Sequence, residues 1–156
     1  MLRLTRNRTL SLAAVTVALF SQLCMAQDRG YWRAASTTAN AITGDITISE
    51  TKISINFTNF TLAQARILNP TEVAAAFDAD INGGEQGTLY HLTVPAAKRF
   101  LKHNTLCGNE DTQWMATYVS GRTLSVDFFS GSNPPVFAFD ALSNSTSLCG
   151  TFTYVR

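Results

Sequence analysis

Trp114-Met115-Ala116-Thr117-Tyr118-Val119, the turn pair Ser120-Gly121 and the return run Thr123-Leu124-Ser125-Val126-Asp127-Phe128-Phe129 decide the fold class. Trp114, Ala116 and Tyr118 alternate with Met115, Thr117 and Val119, the period of two that a pleated strand imposes. β-Branched and aromatic residues fill both arms, and the glycine between them suits a tight reversal, so the stretch reads as a β-hairpin. Phe128 and Phe129 are strand neighbours and must point to opposite faces. One of them leaves the core and needs a cover, for which the loop of Pro134 and Pro135 is the expectation.

Leu-Cys-Gly stands at 106–108, before this hairpin, and again at 148–150, after it. A bond between Cys107 and Cys149 would tie the strand after the hairpin to the segment before it. Their separation of 42 positions corresponds in the chain-entropy model to about 4 kcal/mol at most. Metal ligation would need CxxC or CxxH spacing, which neither cysteine has.

The third cysteine, Cys24, falls in a segment of different character. Arg3, Arg6 and Arg8 precede an apolar run from Leu10 to Phe20 that is too short to span a bilayer, and Cys24-Met25-Ala26 places small residues at the cleavage positions. Residues 1–26 therefore read as a secretory signal peptide cleaved after Ala26. Acylation of Cys24 is disfavoured by Gln22 and Leu23 before it. Cleavage leaves an even pair of cysteines in an oxidising compartment, periplasmic or secreted. The remaining 27–156 forms a single exported domain with no membrane span of its own.

Of 12 basic residues three leave with the leader, so 9 face 11 acidic ones. Without a basic patch, nucleic acid is excluded as a partner. Charged residues make up 15% of the chain, below the usual quarter or so, as suits a polar but weakly charged exported β protein.

Gly30-Tyr31-Trp32 opens the domain, with Trp32 expected to plug one end of a core. Over 44–58, Ile46 and Ile48, then Ile53, Ile55 and Phe57, alternate with polar residues and predict a second hairpin with one buried face. Leu62–Leu68 fits helix or strand. Asn69-Pro70 breaks the chain; 72–79 is open to helix through Ala74-Ala75-Ala76 as well, but the alternation of Val73, Ala75 and Phe77, ahead of a further strand over 88–94, favours a strand. After Pro95, residues 96–103 predict the one short helix, with Phe100 and Leu101 inward. Val136, Phe137 and Phe139 form a short strand or bend, Asn144-Ser145-Thr146 a turn, and 150–155 the last strand. The sum is a mainly β domain, a small antiparallel barrel or curled sheet of about eight to ten short strands.

Asp78-Ala79-Asp80-Ile81-Asn82-Gly83 resembles the first half of a calcium loop through Asp78, Asp80 and Asn82, but position twelve is Leu89 where a glutamate belongs. The competing explanation is a turn built from Asp, Asn and Gly. His91 and His103, the two histidines, stand near no nucleophile in sequence, and an enzyme would need one of them beside a carboxylate such as Asp127 or Asp140. No hydrolase elbow, zinc motif or phosphate loop is present, so the expectation is a non-enzyme without cofactor. Asn56, Asn59 and Asn144 each begin a glycosylation triplet; the arginine-rich start and short apolar run of the leader have a bacterial look, which would make these matches incidental. The exposed loops that could meet a partner carry Asp80, Asn82 and Glu85 in one case, and Ser132, Asn133 and Pro134 in the other.

Gly30-Tyr31-Trp32 at the head of an exported β domain resembles the calycin group: lipocalins and the small bacterial protease inhibitors of barrel form. Periplasmic lysozyme inhibitors are similar in size and export, although Ser120-Gly121 is followed by Leu124 where their motif has tyrosine, so no inhibitory residue carries over. The segment from Asn104 to Arg156 resembles a bacterial exported family. The resemblance implies a binding protein, either an inhibitor-like partner of an envelope or extracellular protein or a carrier of a small apolar ligand in the barrel interior. A hydrolase with a site assembled only in space is the third alternative. A carrier requires an unfilled cavity, an inhibitor a filled core and a protruding loop.

Overall fold

The hairpin forms as its pattern requires. β6 (Thr112–Ser120) and β7 (Thr123–Ser130) pair antiparallel, with Ser120 opposite Thr123 across the Gly121 turn. In the computed structural model, which describes residues 27–156, this hairpin is part of a closed antiparallel barrel of eight strands in sequence order. The expected signal peptide, its cleavage point and Cys24 lie outside the described residues. The other strands are β1 (Gly30–Ala34), β2 (Ile46–Ile48), β3 (Lys52–Ile55), β4 (Thr58–Leu68), β5 (Gly87–Val94) and β8 (Leu148–Val155). Closure is made by β1 on β8, with Arg33 opposite Val155 and Ala34 opposite Tyr154. Among the described residues no helix is long and apolar enough to cross a membrane.

Alternation fills the interior. Ile46, Ile48, Ile53 and Ile55 point in, as do Tyr90, Met115, Val126, Phe128, Phe152 and Tyr154, all at most 2% exposed. Trp32 is fully buried among them, its indole N–H donating to the Asp28 carbonyl at 2.7 Å. The Arg156 guanidinium lies 4.4 Å from the Trp32 ring centre, within cation–π range. One end is plugged by α1 (Thr37–Ile42), whose Ala39 and Ile42 join the core, together with Phe100 and Leu106. β1 enters at the other end, called here the N-terminal end.

A second apolar layer lies outside the barrel over β5, β6 and β7, where Leu68, Leu89, Trp114, Ala116 and Phe129 meet Val73 and Phe137. Phe129 is the outward member of its pair, and Phe137, beyond Pro134-Pro135, packs on it edge to face at 5.8 Å. Cys107 and Cys149 are bonded, with Cα atoms 4.9 Å apart.

Three stretches depart from expectation. Residues 70–77 form a helix, α2 (Pro70–Phe77), where a strand was read. Asn69 caps it, its side chain accepting from Glu72 N–H while the Glu72 carboxylate accepts from Asn69 N–H, both at 3.0 Å. That capping box, with proline in the first turn, outweighs the alternation of Val73, Ala75 and Phe77. The helix read over 96–103 is instead a turn followed by a short 3-10 segment, Leu101–His103. Asp111 takes the Ala96 N–H at 2.8 Å, and Phe100 N–H donates to the Asn104 carbonyl at 2.8 Å. Burying Phe100 against Phe60 turns the chain back before a helix can propagate. Finally, a third helix, α3 (Phe139–Ser143), stands where a short strand or bend was read. Helices are thus more numerous than the single one expected.

Candidate functional site

Two features stand apart from the packed core, one at each end of the barrel. At the N-terminal end, Asp28 is 3% exposed, just ahead of β1. Its Oδ2 accepts from the Tyr90 hydroxyl at 2.9 Å and the Thr117 hydroxyl at 2.6 Å. Its Oδ1 is buried with no hydrogen-bond partner. Burial, then the charge and hydrogen bond of Asp28, push the Tyr90 hydroxyl far above its ordinary range, so it stays a donor.

Beside this group opens a cavity of about 430 Å³, bounded by Gln64, Ile67, Thr88, Val119 and the 83–86 loop. A bulge between Gln64 and Arg66 makes this wall. Leu62, before it, belongs to the interior, and Leu68, six residues on, to the outer layer. An unbroken strand would put both on one face. Tyr118 donates to Glu85 Oε2 at 2.5 Å and thereby draws the 83–86 loop onto the rim.

At the plugged end, β3 and β4 are joined by Asn56 and Phe57 alone, since Ile55 pairs with Thr58. Both residues have left-handed backbone, φ 46° and 61°, as a two-residue hairpin turn of this kind demands. The Phe57 side chain is fully exposed. Phe57 was expected to continue the inward face of β3; the strand ends two residues earlier, and the phenyl ring projects from the tip. Lys98 lies alongside, its Nζ donating to Thr58 Oγ1 at 2.9 Å.

The residues singled out from sequence are dispersed. Asp80 Oδ1 accepts from Asn82 N–H at 2.9 Å, a local turn, and Asp78 ends α2 in left-handed conformation. Among the described residues no three His, Cys, Asp or Glu side chains gather as a metal cluster. Glu85 points to Tyr118, whereas Ser132, Asn133 and Pro134 are exposed on the connection that leaves β7 at the plugged end. The two candidate loops therefore do not form one surface. His91 packs edge-on against Trp114 outside the barrel, at 4.9 Å, and His103 ends the 3-10 segment. Asp140 lies in α3, and Asp127 is buried on the outer face of β7. The Asp28–Tyr90–Thr117 cluster was not foreseen; its members lie 62 and 89 positions from Asp28, beyond any local pattern. For Phe57 a signal existed, since Asn56 begins a pair of turn length between two alternating arms.

No protein-family model, curated protein or solved structure matches the chain.

Proposed function

We propose that this is an exported, non-enzymatic binding barrel that recognises another protein of the envelope or extracellular space, in the manner of an inhibitor. Phe57 carries the reading. Left-handed backbone costs an L-residue about 1–2 kcal/mol, and glycine would serve this turn better. The ring contributes nothing to the core. A residue that costs the fold and packs on nothing within it belongs to the class of strained positions that cluster at functional sites. Exposed aromatics are frequent anchors of protein interfaces.

The filled interior favours this reading over an interior carrier. An eight-stranded barrel has room either for its own side chains or for one small ligand, and here Trp32, Phe128, Phe152 and Tyr154 occupy the space. The Cys107–Cys149 bond supports an oxidising destination. An up-and-down barrel closed by its first and last strands, with a buried Trp32 in β1, supports the resemblance to the calycin group.

The test is Phe57→Gly. Relief of the left-handed strain should raise unfolding free energy by about 1 kcal/mol, while capture of a partner from envelope extract, scored against the wild-type pull-down, should be lost. A variant that captures the same partner as well as wild type removes Phe57 from the interface.

A further inference from the structure

The Asp28 cavity lies at the other end of the barrel from Phe57, and its chemistry stands independently of the reading given above. Among the described residues the one ion pair is Arg66 with Glu72, at 2.8 Å. Asp28 thus has no cationic partner among them, and even Arg29, next to it in sequence, is not within ion-pair reach. A buried carboxylate oxygen without a donor is costly, and the residue that carries this one lines the cavity. The cavity is bounded by two carboxylates, Asp28 and Glu85, and by no lysine, arginine or histidine. Ile67 and Val119 supply an apolar wall. An occupant that completes the site must bring N–H donors, positive charge and a short apolar body, and must compete with the α-ammonium that cleavage after Ala26 would leave on Gln27 at the cavity rim.

We infer that the cavity at the N-terminal end binds an organic ammonium ion, a protonated amine on an apolar stem, with its N–H groups on Asp28 Oδ1 and its stem against Ile67 and Val119. Tyr90 and Thr117 hold the carboxylate through Oδ2, leaving Oδ1 without a donor of its own. The volume, about 430 Å³, falls at the small end of the range for ligand pockets, roughly 300–1,000 Å³.

The test is calorimetric titration of the purified protein, expressed from the full chain, with hexylamine at low salt, using hexanol and hexanoate as controls. Hexylamine should bind at least about tenfold more tightly than hexanol, the margin expected of a hydrogen bond to a charged group, and hexanoate should not bind. Asp28→Asn should weaken hexylamine by a similar factor. Should that variant fail to fold, Ile67→Trp decides: Ile67 is 44% exposed, so the larger ring can fill the cavity without entering the core and should abolish binding. Equal affinity for hexylamine and hexanol, no binding of hexylamine by wild type, or binding retained in folded Asp28→Asn or in Ile67→Trp overturns the inference. Nα-acetyl-lysine methylamide separates two sources of the same chemistry: binding as tight as hexylamine assigns the ammonium to a lysine of a protein, and weaker binding assigns it to a free amine. Phe57→Gly should leave hexylamine affinity unchanged, so failure at one end of the barrel is told from failure at the other.

Discussion

Asp127 occupies a position where an apolar residue would cost less. It points to the outer face of β7, is 1% exposed, and has Ala116 and Thr151 opposite it on the neighbouring strands. Neither carries charge. Burial pushes its carboxyl up to about 7, against a hydrogen bond from Thr151 that favours the anion, and Oδ1 has no partner. The folded form therefore holds the proton more tightly than the unfolded chain does. Stability is fully present below about pH 4 and falls as pH rises through 7, by on the order of 4 kcal/mol in all. Melting temperatures between pH 4 and 8 should decline for the wild type. Asp127→Asn should flatten that slope and melt higher at pH 8; an unchanged slope would mean that another group carries the pH dependence. Asp45 is the contrasting case. The Tyr31 hydroxyl and the Ala34 N–H hold its carboxyl below the usual range at the barrel surface.

At the scale of elements, what was legible followed from side-chain period. β2, β3, β6, β7 and β8 alternate cleanly, and the Phe128–Phe129 pair correctly demanded a cover outside the barrel. β4 was ambiguous because its bulge moves Leu68 to the face opposite Leu62, which spoils the period of two. α2 was misread because Val73, Ala75 and Phe77 alternate by accident across its alanine run, while the decisive signal, Asn69 and Glu72 around Pro70, lay at its start. The 96–103 stretch has helical composition, but its shape is set by where Phe100 must go, which only the closed barrel determines. The Asp28 cluster is likewise a product of closure. α2 can dock because β5 begins with Gly87, where a Cβ would sit 2.8 Å from the Thr117 carbonyl oxygen and 3.0 Å from Val73 Cγ2. Gly87→Ala should therefore cost roughly 1–3 kcal/mol in urea unfolding. A cost near zero would mean that both the Thr117 backbone of β6 and Val73 of α2 give way to the added methyl.

The molecule as a whole is held by one packed interior, an outer layer on one side, and a covalent tie at the plugged end. Cys107 lies ahead of β6 and Cys149 in β8, so the bond spans the β6–β7 hairpin. Replacing both cysteines by serine should lower unfolding free energy by about 2–4 kcal/mol, read from the urea midpoint. A smaller loss would show that the hairpin registers already restrict the unfolded chain. Disulfide and barrel meet in the same strand, since β8 pairs with β7 on one side and closes on β1 on the other.

That closing seam has a consequence in time. Arg33 finds Val155 only after more than a hundred intervening residues have been laid down, and contacts so distant in sequence make folding slow, on the scale of milliseconds to seconds. Until the final strand arrives, β1 has no neighbour on its open side and the core around Trp32 has no wall there. The barrel therefore cannot lock until the last strand has come to rest beside the first, however much of the chain is already in place.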